Sequence, residues 1–414
     1  MMLCFVQRSL LTSCALVTML CRAASAQAPA LPPGTTLTLE DAVARALSAN
    51  PTVRAARLRR AIDLAGVGVA RERPNPDAHV EIERETPHQA VGMAFPLETG
   101  GKRARRIALG EAALRTADAE LALVVVDIRA SVRRAYFTRQ IADARLLLHD
   151  ELVALAVRVR DAAQTRFDSG SAPRLEVLQA QLALADAENQ RTAAEGQAVA
   201  ARAQFNALLD LPLDGVIPLA TSLDVVPATF ATEAIARARS GSTELAIIDR
   251  RLEEQRARIG LARALQIPDV IPETTITHGN APEFNIGWRV AVGVTVPLFS
   301  RRRAGVVLEE ATLTQLAAER EATLARITVD VTSAAALADA QRRQFLRYRD
   351  EIVPQALEIE RLADDSYRLG QTGLAAYLQA LEGTRDARLR SLQAASDFQA
   401  ALADLERTMG VPLP

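Results

Sequence analysis

Between residues 102 and 167, apolar positions recur at helical spacing. Leu114, Leu121, Val125, Ile128, Val132 and Ala135 step by sevens, fours and threes, and Leu148, Leu152, Leu155, Val159 and Ala162 resume the stripe. A heptad-like period buries one side of a helix against a neighbour. The stretch holds no proline and a single glycine, Gly110, so it reads as one helix over 102–167. At about 1.5 Å per residue that helix is a rod of about 100 Å. A turn at Asp168-Ser169-Gly170 and Pro173 follows, and Leu175, Leu178, Leu182 and Ala185 carry the stripe into a helix over 174–209. Ahead of the rod the pattern predicts one helix from Leu39 to Arg73, closed by Pro74 and Pro76. The two shorter helices together match the rod in length, so they lie end to end beside it, antiparallel to it.

Between the first helix and the rod the period changes from helical to two. Val80 and Ile82 alternate with His79, Glu81, Glu83 and Glu85, and Val91, Met93 and Phe95 with Ala90, Gly92 and Ala94. Further along, Phe284, Ile286, Trp288, Val290, Val292, Val294 and Val296 alternate with small or polar residues. Such runs are strands with one apolar and one polar face. The hairpins turn at Pro87-His88 and at Gly279-Asn280-Ala281-Pro282.

Nearly every element occurs twice. Leu39-Glu40-Asp41-Ala42-Val43-Ala44-Arg45-Ala46 returns as Thr232-Glu233-Ala234-Ile235-Ala236-Arg237-Ala238, and Pro76-Asp77 as Pro268-Asp269. Phe95-Pro96-Leu97 returns as Val296-Pro297-Leu298, and Arg166-Phe167-Asp168-Ser169-Gly170 as Ser366-Tyr367-Arg368-Leu369-Gly370. Leu178-Gln179-Ala180 returns as Leu378-Gln379-Ala380, and Leu211-Pro212-Leu213 as Val411-Pro412-Leu413. The chain therefore divides into a first repeat, 27–220, with a hairpin at 78–97, a long helix at 102–167 and a helix at 174–209. The second repeat, 221–414, has a hairpin at 270–298, a long helix at 301–367 and a helix at 374–409.

Composition narrows what this architecture does. Lys plus Arg number 49 and Asp plus Glu 50, so no basic excess exists to neutralise nucleic-acid phosphates. Aromatics are only 4 % against 49 % hydrophobic residues, as in long Ala- and Leu-rich helices packed side by side. Residues 1–26 read as an export signal: Arg8, an apolar stretch from Leu10 to Leu20, and Ala24-Ser25-Ala26 as the cleavage site. All three cysteines, Cys4, Cys14 and Cys21, fall inside it, so the mature chain has no thiol for catalysis, metal binding or disulfides. No other stretch is apolar enough for a membrane helix, so an exported chain that enters a membrane does so as a β-barrel. Four strands cannot close a barrel alone. A dimer's eight strands leave no channel, whereas a trimer's twelve do.

Candidate chemistry is sparse. His79, His88, His149 and His278 are scattered, only Met93 and Met409 remain in the mature chain, and no nucleophile or acid–base constellation stands out. The sequence reads as having no catalytic, cofactor or resident metal site. Lys102-Arg103-Ala104-Arg105-Arg106 and Arg301-Arg302-Arg303 put positive charge at helix starts, where the dipole disfavours it. Acidic neighbours or lipid phosphates are the expected compensation.

Signal, duplicated helix–hairpin–rod–turn–helix and the turn motif together resemble the TolC-type outer-membrane efflux family over about 36–413. The motif stands as Phe167-Asp168-Ser169-Gly170 followed by Glu176-Val177-Leu178, and as Tyr367-Arg368-Leu369-Gly370 followed by Ala376-Tyr377-Leu378. Leu37-Thr38-Leu39-Glu40-Asp41-Ala42 and Pro96-Leu97-Glu98-Thr99-Gly100-Gly101-Lys102-Arg103 resemble its heavy-metal (CzcC-like) branch.

The resemblance implies a mainly α fold with a small β part. It implies a homotrimer with a twelve-stranded outer-membrane β-barrel and a periplasmic α-barrel of helical hairpins. It also implies a duct without chemistry of its own, served by a periplasmic adaptor protein and an inner-membrane RND pump. Multidrug and type I secretion systems use ducts of the same kind, and a poreless periplasmic coiled coil is the non-transport alternative. By the same resemblance, Phe167, Gly170, Tyr367, Gly370 and Thr372 form the periplasmic tip where the adaptor docks, and Glu176 and Gln379 line the entrance. Ala376 stands where the family often has an acidic residue. On their own placement in the strand pattern, Phe284 and Trp288 are candidates for an aromatic belt at the membrane surface.

Overall fold

The computed structural model describes residues 36–84, 87–223, 231–279 and 286–410. The segment 1–26 read as an export signal, with its three cysteines, the second hairpin turn at 280–282, Phe284 and the closing 411–413 motif lie outside them. Helix α1, Leu39–Ala49, opens with a capping box: Thr38 Oγ1 accepts from Asp41 N at 3.1 Å, and the Asp41 carboxylate accepts from Thr38 N at 3.3 Å. The single helix expected over 39–73 is in fact two. Asn50 ends α1 and caps α2, Pro51–Arg71, accepting from Thr52 N at 2.8 Å and donating to Leu208 O at 2.9 Å. Pro51 turns its predecessor away from helical backbone and is well suited to open the next helix. The second half breaks at the corresponding point. Helix α5, Ala231–Gly241, stops before Ser242, whose hydroxyl accepts from Leu245 N at 3.3 Å to start α6, Thr243–Ala264.

The first-half rod, α3, runs unbroken for 67 residues from Lys102 to Asp168, and α4, Arg174–Leu208, returns along it. Helices α1, α2 and α4 pack on α3. The second-half rod is not one α-helix. It comprises α7, Arg303–Arg347, a π-turn at Tyr348–Ile352, and α8, Val353–Arg368, before α9, Leu374–Met409, returns. Pro354 lacks the N–H that an α-helix would donate to Asp350, and its ring would crowd that carbonyl. Widening to a π-turn just before it keeps the rod continuous. Helix α3 also packs on α6 and α9, so the halves interlock.

The seams are built from small residues. Ala42, Ala46, Ala163, Ala180, Ala198, Ala394 and Ala403 are buried and let helix backbones approach closely. Large aromatics also pack inside the helical bundle, away from the strands and turns. Tyr136, Phe137 and Phe205 form an edge-to-face cluster where the middle of α3 meets the C-terminal end of α4, with centroids 5.3 and 5.8 Å apart, and Phe345 stacks on Phe398 at 6.0 Å. The Tyr136 hydroxyl donates to Leu37 O and accepts from Thr221 N, both at 2.9 Å. That cluster pins the irregular segments flanking α1 and following α4 to the waist of the bundle.

Strands β1, Asp77–Ile82, β2, Gln89–Ala94, β3, Val270–His278, and β4, Ile286–Val294, form one antiparallel sheet in the order β1-β2-β3-β4. The β2–β3 pairing joins the two halves, with Val91 opposite Ile276. Among the described residues no helix is long and apolar enough to cross a membrane.

Candidate functional site

The register sorts the sheet into two faces. Val80, Val91, Ile276 and Trp288 form one row across all four strands. Met93, Val290, Val292 and Ile286 continue that face, and all of these residues are exposed; Trp288 retains 81 % of its surface. The opposite face carries His79, Glu81, Glu273, Thr275, Thr277 and Arg289. His79 Nε2 lies 3.5 Å from Glu273 Oε1, Thr275 Oγ1 donates to the same oxygen at 3.2 Å, and Arg289 approaches it at 4.0 Å. Gly92 leaves room for this group: a Cβ there would sit 2.3 Å from His79 Nε2. Arg289 beside Glu273 makes the cluster poorly suited to a cation. Among the described residues no three His, Cys, Asp or Glu are placed to hold a metal ion.

At the other end of the rods the two reversals have the same backbone. Gly170 (φ 75°) donates to Phe167 O at 2.9 Å and Ser171 to Arg166 O at 2.8 Å; Gly370 (φ 71°) donates to Tyr367 O at 3.0 Å and Gln371 to Ser366 O at 2.9 Å. These are Schellman endings, which need a left-handed residue. Nothing lies within 4 Å of a Cβ at either position, so the dihedral and not space selects glycine.

The side chains at the reversals differ. Phe167 is 40 % exposed, whereas Tyr367 is 4 % exposed in a core with Val159, Ala163, Ala180, Leu374 and Tyr377. Tyr367 stacks on Tyr377 at 5.0 Å, and the Arg166 guanidinium sits 4.9 Å over its other side. The Tyr377 hydroxyl donates to Asp364 Oδ1 at 2.9 Å, and Arg368 pairs with Asp364 at the same distance. Burial first, then the bond to Asp364, pushes the Tyr377 hydroxyl well above the usual phenol range. Glu176 is half-buried and faces Arg166 at 4.0 Å, so its charge is partly compensated within the chain. Gln379 is exposed, and the half-buried Thr372 has no partner for its hydroxyl among the described residues. A groove of about 750 Å³ runs between the ends of α3 and α8, walled by Leu155, Arg158, Ala162, Arg361, Tyr367 and Gly370.

Asp364 was not singled out from sequence, and Arg166 and Arg368 stood out only as members of the repeated turn motif, without a role. Asp364 lies three residues before Tyr367, but nothing in its spacing points to Tyr377. The stacking of Arg166 on Tyr367 joins residues about 200 positions apart.

Where the sheet meets the rods, three of the four basic side chains of the first run, Lys102, Arg103 and Arg106, are absorbed, while Arg105 is exposed. Lys102 is buried and its Nζ lies 2.7 Å from Asp269 Oδ1, which also accepts from Thr99 N at 2.9 Å. Arg103 donates to Arg71 O at 2.9 and 2.8 Å. Arg106 donates to Ala70 O at 3.1 Å, to Glu72 O at 2.8 Å and to the Glu98 carboxylate. The start of α3 is thus set against the C-terminal carbonyls of α2, where positive charge is favourable. Partial burial pushes the Asp269 carboxyl up, but Lys102, the Thr99 amide and Arg302 together hold it below the ordinary carboxylate range.

Comparison with known proteins places this geometry. The cobalt-zinc-cadmium resistance protein CzcC of Cupriavidus metallidurans is 25 % identical over 377 residues, covering 90 % of each chain. The nickel-cobalt-cadmium resistance protein NccC of Alcaligenes xylosoxydans xylosoxydans is 27 % identical over 222 residues, 51 % of this chain and 47 % of that one. A crystal structure of a membrane protein from Pseudomonas aeruginosa shares the fold, with a TM-score of 0.75 and 20 % identity over 90 % of this chain and 92 % of the other. The family model described as outer membrane efflux protein matches twice, at residues 42–210 and 234–411, one match to each half of the duplication. The chain belongs to the outer membrane efflux protein family.

Proposed function

We propose that three copies of this chain close a twelve-stranded barrel in the outer membrane and continue as a helical duct across the periplasm. Through it, heavy-metal cations leave the cell, delivered by an inner-membrane RND pump through a periplasmic adaptor. The observation that carries this reading is the sheet. It has an exposed apolar face, a polar face, and edge strands β1 and β4 that have no further partner among the described residues. An apolar-out, polar-in sheet satisfies its edges only by closing with others, and eight strands would fill with side chains. The names of the relatives CzcC and NccC support the metal cargo.

On this reading Phe167, Gly170, Tyr367, Gly370 and Thr372 form the end that meets the adaptor, beside the groove between α3 and α8. Glu176 and Gln379 line the entrance, with Arg166 tempering the Glu176 charge, and Trp288 and Phe284 belong to the outer aromatic belt. Deleting the gene and growing cells on cobalt, zinc, cadmium or nickel tests the cargo. Hypersensitivity restored by the gene is expected, and unchanged growth overturns metal export. Mass measurement and single-channel conductance test the duct, which a non-conducting monomer would overturn.

A further inference from the structure

The second basic run, Arg301-Arg302-Arg303, is not absorbed as the first is. All three arginines are exposed and make no ion pair or hydrogen bond among the described residues. The nearest carboxylate to appear in their electrostatics, Asp269, is already held by Lys102 and Thr99. The backbone sharpens the contrast. Gly101, at φ 72°, precedes α3, and Arg302, at φ 52°, precedes α7 at the corresponding place. Glycine adopts that conformation freely and an L side chain does not. An arginine kept where glycine is the relaxed choice points to a use for its side chain.

Directly before the arginines the surface is apolar. Val294, Val296 and Leu298 are exposed, and Phe299 is 101 % exposed. From Trp288 to the end of β4 at Val294 the strand path covers about 20 Å, or about 15 Å of depth at a tilt near 40°, and five further residues lead to Phe299. A barrel's apolar band is about 25 Å tall, so Phe299 falls at its edge and the arginines just outside it. This is the end that runs into the long helix, hence the periplasmic leaflet.

We propose that residues 298–303 form a phospholipid-binding collar: Leu298 and Phe299 enter the acyl region, and Arg301, Arg302 and Arg303 bind phosphates of inner-leaflet phospholipid headgroups. The inference rests on the reading of the sheet as barrel staves. Basic residues beside a membrane surface each contribute about five-fold in binding, so the three together favour anionic lipid by about a hundred-fold.

The test uses the full chain in phosphatidylcholine vesicles with and without phosphatidylglycerol, in wild type, Arg302→Gly, and the triple variant Arg301→Gln, Arg302→Gly, Arg303→Gln. Two readouts are taken. Trp288 is the only tryptophan, so its quenching by brominated acyl chains reports insertion of the sheet. The ratio of phosphatidylglycerol to phosphatidylcholine retained on the purified protein reports the collar.

Arg302→Gly relaxes the backbone, so a loss of lipid preference in it is not a folding defect. We expect quenching in every case, a fall of about five-fold in preference for Arg302→Gly and about a hundred-fold for the triple variant. Unchanged preference with Trp288 still quenched overturns the collar and leaves the duct standing. Dissociation of the oligomer at unchanged preference also overturns the collar, giving the arginines to a subunit contact. Absence of quenching in all vesicles overturns both readings.

Discussion

Ala154 and Pro354 stand 200 positions apart at the same place in the two halves, and the rods around them differ accordingly. The first is a single α-helix that packs against both halves; the second opens into a π-turn before its proline. The reversals differ in the same sense. Phe167 faces solvent, while Tyr367 is wedged between Arg166 and Tyr377. At the sheet end the relation inverts: Lys102 is locked to Asp269, and Arg301–Arg303 are free of such locks. A duplication thus keeps its backbone plan while side-chain duties separate. The first half is tied down below the sheet, and the second half is tied down at the reversal.

Proline at the reversals gives the largest expected break in this comparison. Gly370→Pro forces φ from 71° to about −65° and removes the N–H that binds Tyr367 O, at a cost of about 3 kcal/mol or more. Loss of metal tolerance with continued membrane insertion is expected. Gly170→Pro is expected to lower the thermal midpoint less, because no buried aromatic hangs on its reversal. Equal falls in midpoint for the two variants would remove the asymmetry.

The aromatic pair itself comes next. Tyr367→Ala empties a closed core position, which typically costs about 3 to 5 kcal/mol, whereas Phe167→Ala at an exposed site is expected to cost within about 0.5 kcal/mol. Tyr367→Phe removes a buried hydroxyl that has no partner among the described residues and is expected to be neutral or stabilising. Thermal unfolding of the detergent-solubilised protein distinguishes these outcomes. A destabilising Tyr367→Phe would mean that the hydroxyl is satisfied in the assembly.

Below the sheet the ranking of the halves reverses. Lys102→Ala removes the ion pair to Asp269, leaving it the Thr99 amide and the unbonded charge of Arg302, and is expected to cost about 1 to 3 kcal/mol. Arg303→Ala is expected to leave the thermal midpoint in detergent unchanged, since it breaks no contact within the chain. A comparable loss from both would show that the second basic run is structural after all.

The duplication, the rods and the glycine reversals were legible because each is written locally: a stripe at helical spacing, a proline-free run, a glycine after an aromatic. The breaks at Asn50-Pro51 and at Pro354 carried local signals too, but the apolar period continues through both and masked them. What was not legible is long-range pairing. Lys102 meets Asp269 from 167 positions away, and Arg166 meets Tyr367 from 201 away. Residue types restrict such partners without choosing among them. The waist cluster of Tyr136, Phe137 and Phe205 was hidden for the same reason. Tyr136 and Phe137 are sequence neighbours in edge-to-face contact, and the third ring, Phe205 against Tyr136, arrives with α4.

A smaller effect tests whether the rods themselves are sensitive to pH. His149 is buried on α3, its Nδ1 without a partner among the described residues, with Arg145 and Asp150 on the same helix and Arg385 facing it from α9. Burial, then the Arg385 and Arg145 charges, hold its imidazole below the ordinary histidine range. A histidine with a lowered pKa takes up its proton in the unfolded chain before it does so in the folded one. The stability it permits is therefore intact above about pH 6.5 and is lost as the pH falls from there through the folded value. The slope can reach no more than that of one proton, about 1.4 kcal/mol per pH unit. Wild type is expected to lose thermal midpoint on acidification through this window, and His149→Gln, which fills similar space and does not titrate, is expected to lose less. Parallel pH profiles for the two proteins would place the sensitivity elsewhere in the rods.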